Sequence, residues 1–238
     1  MLGTIIKSEF KTMFRDKMYT FFAIYPFIFG TLGYFLVKWF ESKEGFGMAA
    51  NITAMMLILL TGYVFGALIA FTLLDDKDDK VLMSLKITPI NVKHYIYVKI
   101  FAGMIFAFIS TLVVILATGF LSDTSPLTIL FVAILGAVQV PSVVLIVNSF
   151  SDNKVEGFVV MKLSGLVLMF PVAAFLMSAG WSEYALGIAP GFWAGRIVEL
   201  ELLGTKEGSA ILVFVVGVLY NLLATWLLMK VYTKRSNI

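Results

Sequence analysis

Cysteine is absent from the 238 residues of this chain. That excludes a disulfide framework, a thiolate metal site and a cysteine nucleophile, and says little about redox compartment. Charge is scarce: Asp, Glu, Lys and Arg make up 14% of the residues, against about 25% in an ordinary soluble domain. Histidine occurs once, as His94, where a lone imidazole reads as a solvated polar group rather than a ligand. No G-x-x-x-x-G-K-[ST] is present, so the chain does not hold ATP phosphates in a P-loop of its own. No in-span His, Cys or carboxylate pair is present either, which removes the usual equipment of an intramembrane enzyme.

What fills the chain instead is apolar. Hydrophobic residues are 60% of the total and the mean hydropathy is +0.96. Six runs reach the roughly 20 residues that a helix needs to cross a bilayer. They are Met18 to Val37, Ile52 to Leu74, Tyr97 to Leu121, Leu127 to Asn148, Gly157 to Gly180 and Ala210 to Met229. The expectation is an all-α integral membrane protein with six transmembrane helices, a single domain over residues 1–238. Alternation over about ten residues, the mark of a membrane barrel, is missing. Pro26 and Pro171 are expected to kink their spans, and Pro141 lies in the fourth. Gly62 and Gly66 form a G-x-x-x-G, which serves packing within one chain or a dimer seam. Gln139, Asn148 and Asn221 are neutral polar groups within spans, expected to hydrogen-bond between helices.

Lys and Arg set the orientation. With a cytoplasmic N-terminus, thirteen of them fall in inside segments and four, Lys38, Lys43, Arg196 and Lys206, fall outside. Such a bias over short loops predicts a multi-pass plasma-membrane protein with both termini cytoplasmic. The pI of about 9.0 follows from those flanking residues and does not point to a nucleic-acid partner. Residues 1–17 read as an amphipathic elbow helix in the headgroup layer, with Leu2, Ile6, Phe10, Met13 and Phe14 on one face and Lys7, Lys11 and Arg15 on another. Residues 181–208 are too polar and broken to span, yet carry Trp181, Tyr184, Phe192 and Trp193. They read as a re-entrant or interfacial hairpin on the outer face, with the aromatics as interface anchors.

The stretch from Asp75 to Lys99 organises the rest. It opens with the densest charge cluster of the chain, Asp75, Asp76, Lys77, Asp78, Asp79 and Lys80. Lys77 and Lys80 interrupt the acids, which favours a docking or solvated surface over a metal site. Val81, Leu82 and Leu85 follow at helical spacing, and Thr88-Pro89 ends the run. A charged helix held on a short loop against a membrane can pass force to a soluble partner; an ordinary solvated loop is the other reading. Lys162 is the one charge well inside a span, Lys99 standing at the opening of the third. Two readings stay open for it: snorkelling to the headgroups, or a place in a polar cavity or pair, with Glu156 as partner.

Together these features resemble the membrane subunit of an ABC-2 type ATP-binding-cassette exporter. The resemblance rests on the elbow, the six spans, the outer hairpin with Ala189-Pro190-Gly191-Phe192-Trp193, and the pattern of acidic–basic cluster, amphipathic run, Thr88-Pro89 and Lys99. Family members often carry glutamates followed by Gly-Thr, where this chain has aspartates and Lys80-Val81. The resemblance implies separate ATPase subunits that hold ATP and Mg, no cofactor on this chain, and a second copy or a homologous permease as partner beside membrane lipid. It makes Asp75 to Thr88 the coupling helix, with Asp76, Asp78, Asp79, Val81, Leu82, Leu85 and Lys86 as ATPase-coupling residues. It assigns the translocation path to the first, second and fifth helices, hence to Phe27, Met56, Phe65, Met169 and Lys162. Met and aromatic walls adapt to varied apolar shapes. The short outer loops look like those of small exporters of amphipathic peptides or hydrophobic drugs, working by alternating access. An ion-coupled secondary transporter or channel is the alternative, and normally shows charged relays in several spans.

Overall fold

Caps and breakers divide the apolar runs into helices. A computed structural model describes residues 17–88, 91–121, 123–177, 180–203 and 208–236. Of the expected elbow, residues 1–17, all but Lys17 lie outside the described residues, as do Pro89 and Lys206. The helices are α1 (Lys17–Glu41), α2 (Gly47–Asp78), α3 (Val81–Lys86), α4 (Val92–Thr118), α5 (Pro126–Val138), α6 (Val140–Ser149), α7 (Lys154–Gly165), α8 (Met169–Leu176), α9 (Phe192–Leu203) and α10 (Ala210–Arg235). Three starts are fixed by side chains that accept a backbone N–H: Asn91 from Lys93, Asn153 from Glu156 and Ser209 from Leu212. Ser125 does the same for Thr128, with Pro126 in the first turn where its missing N–H costs nothing. Gly119, at φ +65°, ends α4 in the left-handed conformation.

Among the described residues, six segments are long and apolar enough to cross a membrane: α1, α2, α4, α5 with α6, α7 with α8, and α10. Two of the expected spans are interrupted. The fourth breaks at Gln139, two residues before Pro141, because Pro141 has no N–H to give the turn behind it. The fifth passes through a 3₁₀ turn at Leu166–Leu168 just ahead of Pro171 and stops at Leu176, short of Gly180. α1, by contrast, runs unbroken through Pro26.

At 32 residues α2 is about 48 Å long, well beyond the roughly 30 Å of hydrocarbon, so its Asp75–Asp78 end projects. It is also the axis of the bundle, touching α1, α4, α6 and α7. Close approach depends on its glycines. A methyl on Gly62 would run into the Gly136 carbonyl and Gln139, and one on Gly66 would meet Val143 at 2.7 Å. The G-x-x-x-G face is therefore spent inside this chain, on α5 and α6. α1, α7, α8 and α10 instead expose large apolar side chains such as Phe21, Phe35, Leu163 and Leu223, as lipid-facing helices do.

The described part of 181–208 is more buried than the aromatic-anchor reading expects. A 3₁₀ segment, Trp181–Ile188, turns at Ala189–Gly191 into α9. Trp181 and Tyr184 are exposed, but Phe192 and Trp193 are core residues packed with α5, α8 and α10. They turn inward because α9 is covered by its neighbours and does not lie on the surface. Asn221 donates to the Pro190 carbonyl at 3.3 Å, so the turn meets α10 about 16 Å from that helix's start.

Candidate coupling segment and translocation residues

The projecting end of α2 is held by ion pairs to three other elements. Asp76 accepts from Lys99 at 2.5 Å and from the Tyr95 hydroxyl at 3.0 Å, both on α4. Lys77 donates to Asp152 at 2.7 Å and to the Ser151 carbonyl at 3.1 Å, and Lys154 pairs with Asp75. Arg235, at the end of α10, donates to the Ser149 carbonyl at 3.0 Å. The Lys77 ammonium, by hydrogen bond and then by charge, holds the Asp152 carboxyl below its ordinary range. Asp78, Asp79 and Lys80 stay exposed.

Lys80 adopts a left-handed conformation, φ 59°, between α2 and α3. A glycine would sit there without strain, which gives a physical sense to the Gly-Thr that the resembled family often carries at this point. The Lys80 carbonyl then accepts from Met83 and Ser84 and starts α3.

α3 has two faces, and they differ from the expected contact set. Leu82 is 6% exposed and belongs to this chain's own core with Leu73, Val92 and Ile96; Leu85 packs against that core, and Val81 is half-buried. The reason is the hairpin of α2, α3 and α4, which folds the short helix back so that its apolar stripe is consumed within the chain. What points outward is Met83, 66% exposed, and Ile87, 90% exposed. Lys86 closes the helix. Hydrophobic spacing finds the amphipathic helix, but only the tertiary fold tells which of its apolar residues remain free. Met83 and Ile87 were legible as apolar residues off the stripe.

The path residues divide similarly. Phe27, 60% exposed, Met169 and Lys162 lie on the outer surface of the bundle, and Met56 is half-buried. Phe65 does not belong with them: it is 2% exposed and stacks on Phe106 at 6.0 Å. It sits on the side of α2 that α4 covers. Lys162 lies over the Phe158 ring at 4.6 Å. Glu156 is not its partner, since its carboxylate accepts from the Asp152 N–H and from Asn153 in the cap of α7.

Sequence reasoning counted Arg196 only as an outer cation and missed the buried ion pairs it makes. Arg196 of α9 is 4% exposed and donates at 2.7 Å both to Glu183 and to Glu199, which are 1% and 2% exposed. Its guanidinium also lies 5.5 Å from the Tyr184 ring centre. The triad pins the 3₁₀ segment to α9. The i, i+3 spacing of Arg196 and Glu199 was a visible signal, though one usually found on solvated helix faces.

Comparison with known proteins places this architecture. The family described as "Fluoroquinolones export permease protein Rv2686c-like" matches residues 9–229. Two curated proteins of Mycobacterium tuberculosis, from strains CDC 1551 / Oshkosh and H37Rv, are each named as a fluoroquinolones export permease protein. Each is 22% identical over 237 residues, covering 96% of this chain and 92% of the relative. No solved structure matches.

Proposed function

Since this chain belongs to the fluoroquinolones export permease family, we propose that it is the membrane subunit of a drug exporter driven by ATPase subunits on separate chains. ATP and Mg²⁺ sit on those subunits, and a second copy or a homologous permease completes the pathway. The observation that carries the reading is the two-faced α3. Leu82 and Leu85 fasten it to the core while Met83 and Ile87 stand free beside Asp78 and Asp79. A helix rigid on one side and apolar and acidic on the other suits an ATPase cleft with basic rims. Closure of the ATPases then pulls on α2 through α3, tilts the membrane halves and alternates their access. The substrates are planar, hydrophobic drugs of the fluoroquinolone kind, by extension from the relatives' name, with amphipathic peptides as a second class. Phe27, Met56 and Met169 line the route, with Lys162 toward its cytoplasmic mouth.

The test is the reconstituted permease–ATPase complex, with ATP hydrolysis measured against added fluoroquinolone, amphipathic helical peptide and polysaccharide. The drug is expected to raise hydrolysis. Met83→Asp with Ile87→Asp is expected to lower the stimulated rate at least about tenfold, because each carboxylate must be desolvated in the cleft. The fold should persist, since both side chains are exposed. Unchanged stimulation in the double variant makes α3 an ordinary loop. Uptake that follows an ion gradient and ignores ATP favours the secondary-transporter alternative.

Orientation has its own test in a chain with no native cysteine. The excess of Lys and Arg at the end that holds Lys77, Lys154 and Arg235 puts that end in the cytoplasm. In Lys43→Cys and Lys86→Cys proteins, a membrane-impermeant maleimide should label position 43 from outside and position 86 only after the membrane is opened. Labelling of both from outside overturns the assignment.

A further inference from the structure

Where the ends of α2, α6 and α10 meet, a polar cavity of about 230 Å³ is lined by Lys77, Asn148, Ser149, Ser151, Asp152 and Arg235. This is below the roughly 300–1,000 Å³ of pockets that enclose drug-sized ligands. Its walls are unusual in two ways. Ser149 and Ser151 are 5% and 3% exposed, yet neither hydroxyl has a hydrogen-bond partner in the protein. Buried hydroxyls are rarely left so. The cations also keep capacity. An ammonium has three donors and a guanidinium five; the bonds from Lys77 go to Ser151 and Asp152, and that from Arg235 goes to the Ser149 carbonyl.

The charge balance selects an anion. Lys77 and Arg235 bring two positive charges to the lining against the single negative charge of Asp152, whose side chain is 88% exposed. Lys154 is neutralised by Asp75, and the charged Glu156 carboxylate is turned to the α7 cap and does not line the cavity. One positive charge with two hydroxyl donors matches a singly charged phosphodiester, whose oxygens accept charge-assisted hydrogen bonds. The side-chain amide oxygen of Asn148, also without a partner, is an acceptor suited to a headgroup hydroxyl.

The position selects the source. The cavity sits at the ends of three spanning helices, where headgroups lie. Phe150 on its rim is 52% exposed, and the Arg235 guanidinium lies 4.7 Å from its ring centre. An exposed aromatic beside a fixed cation is an interfacial arrangement. We infer that this cavity binds the phosphodiester headgroup of an anionic phospholipid from the adjacent leaflet. A bound headgroup bridges α2, the loop after α6 and the end of α10, and so braces the base of the coupling segment. The inference is independent of which drug is exported.

Native mass spectrometry of the full chain in detergent tests it, with equal phosphatidylglycerol and phosphatidylcholine and a separate arm with inorganic phosphate. Phosphatidylglycerol is expected to be retained at least about fivefold over phosphatidylcholine. Ser149→Ala with Ser151→Ala, and separately Arg235→Gln, should bring it down to the phosphatidylcholine level, while Lys234→Gln should leave it unchanged. Thermal melting of each variant without lipid checks that the fold is kept, and a variant that melts early is replaced by Lys77→Gln. Equal retention of the two lipids overturns the inference, as does retention indifferent to the serine and arginine changes. Displacement of the lipid by millimolar phosphate, or phosphate bound in its place, also overturns it in favour of a soluble anion.

Discussion

Replacing Arg196 by methionine should cost more stability than any other single charge change in this protein. Methionine keeps the length and apolar stem of the side chain but leaves Glu183 and Glu199 buried without their shared cation. Removing one member of a buried ion pair costs about 3–5 kcal/mol, because the remaining charge keeps its desolvation penalty. At roughly 2–4 °C per kcal/mol for a chain of this size, the melting temperature in detergent should fall by about 10 °C. Adding Glu183→Gln and Glu199→Gln to Arg196→Met should recover part of the loss, since no uncompensated charge remains. A single variant that melts with the wild type would mean that the triad is open to solvent and does not hold the 3₁₀ segment to α9.

A comparable loss is expected from Gly62→Leu. The added side chain meets a backbone carbonyl, that of Gly136, as well as Gln139. A carbonyl in a helix cannot swing aside as a side chain can. The α2–α5 seam must open, which also breaks the 3.2 Å bond from Gln139 to the Leu59 carbonyl. Overpacking costs about 1–3 kcal/mol before that bond is counted. Low yield of folded protein and early proteolysis within α2 are the expected readouts. Gly47→Ala, with nothing within 4 Å, should melt with the wild type. Normal folding of Gly62→Leu would show that α2 and α5 do not meet at Gly62.

Six spans, the amphipathic helix after the second and the non-spanning character of residues 181–208 were all legible in the sequence. Each depends on a property of consecutive residues. A run of about 20 apolar side chains must satisfy its backbone within a helix in the bilayer, whatever its neighbours do. The interruption near Pro171 was legible for the same reason, because a proline acts on its own turn. At Pro141 the sequence marked the residue, while the place of the break, Gln139, came with the contact to Leu59 across the bundle.

Residue roles were not legible in the same way. Leu82 and Met83 are neighbours of similar hydropathy, yet one is core and the other free. Phe65 and Phe27 read alike, and one stacks on Phe106 while the other faces outward. Gly62 and Gly66 suited a dimer seam as well as they suit α5 and α6. Arg196 counted as an outer-loop cation until its two carboxylates were seen buried beside it. The common cause is the solvent. In water, hydropathy separates inside from outside; in lipid both sides of a helix are apolar, and association is decided by shape and hydrogen bonds. The sequence by itself therefore determined how often this chain crosses the membrane and where it leaves it. Which face of each helix meets protein, lipid or a partner was decided by packing between residues far apart in the chain.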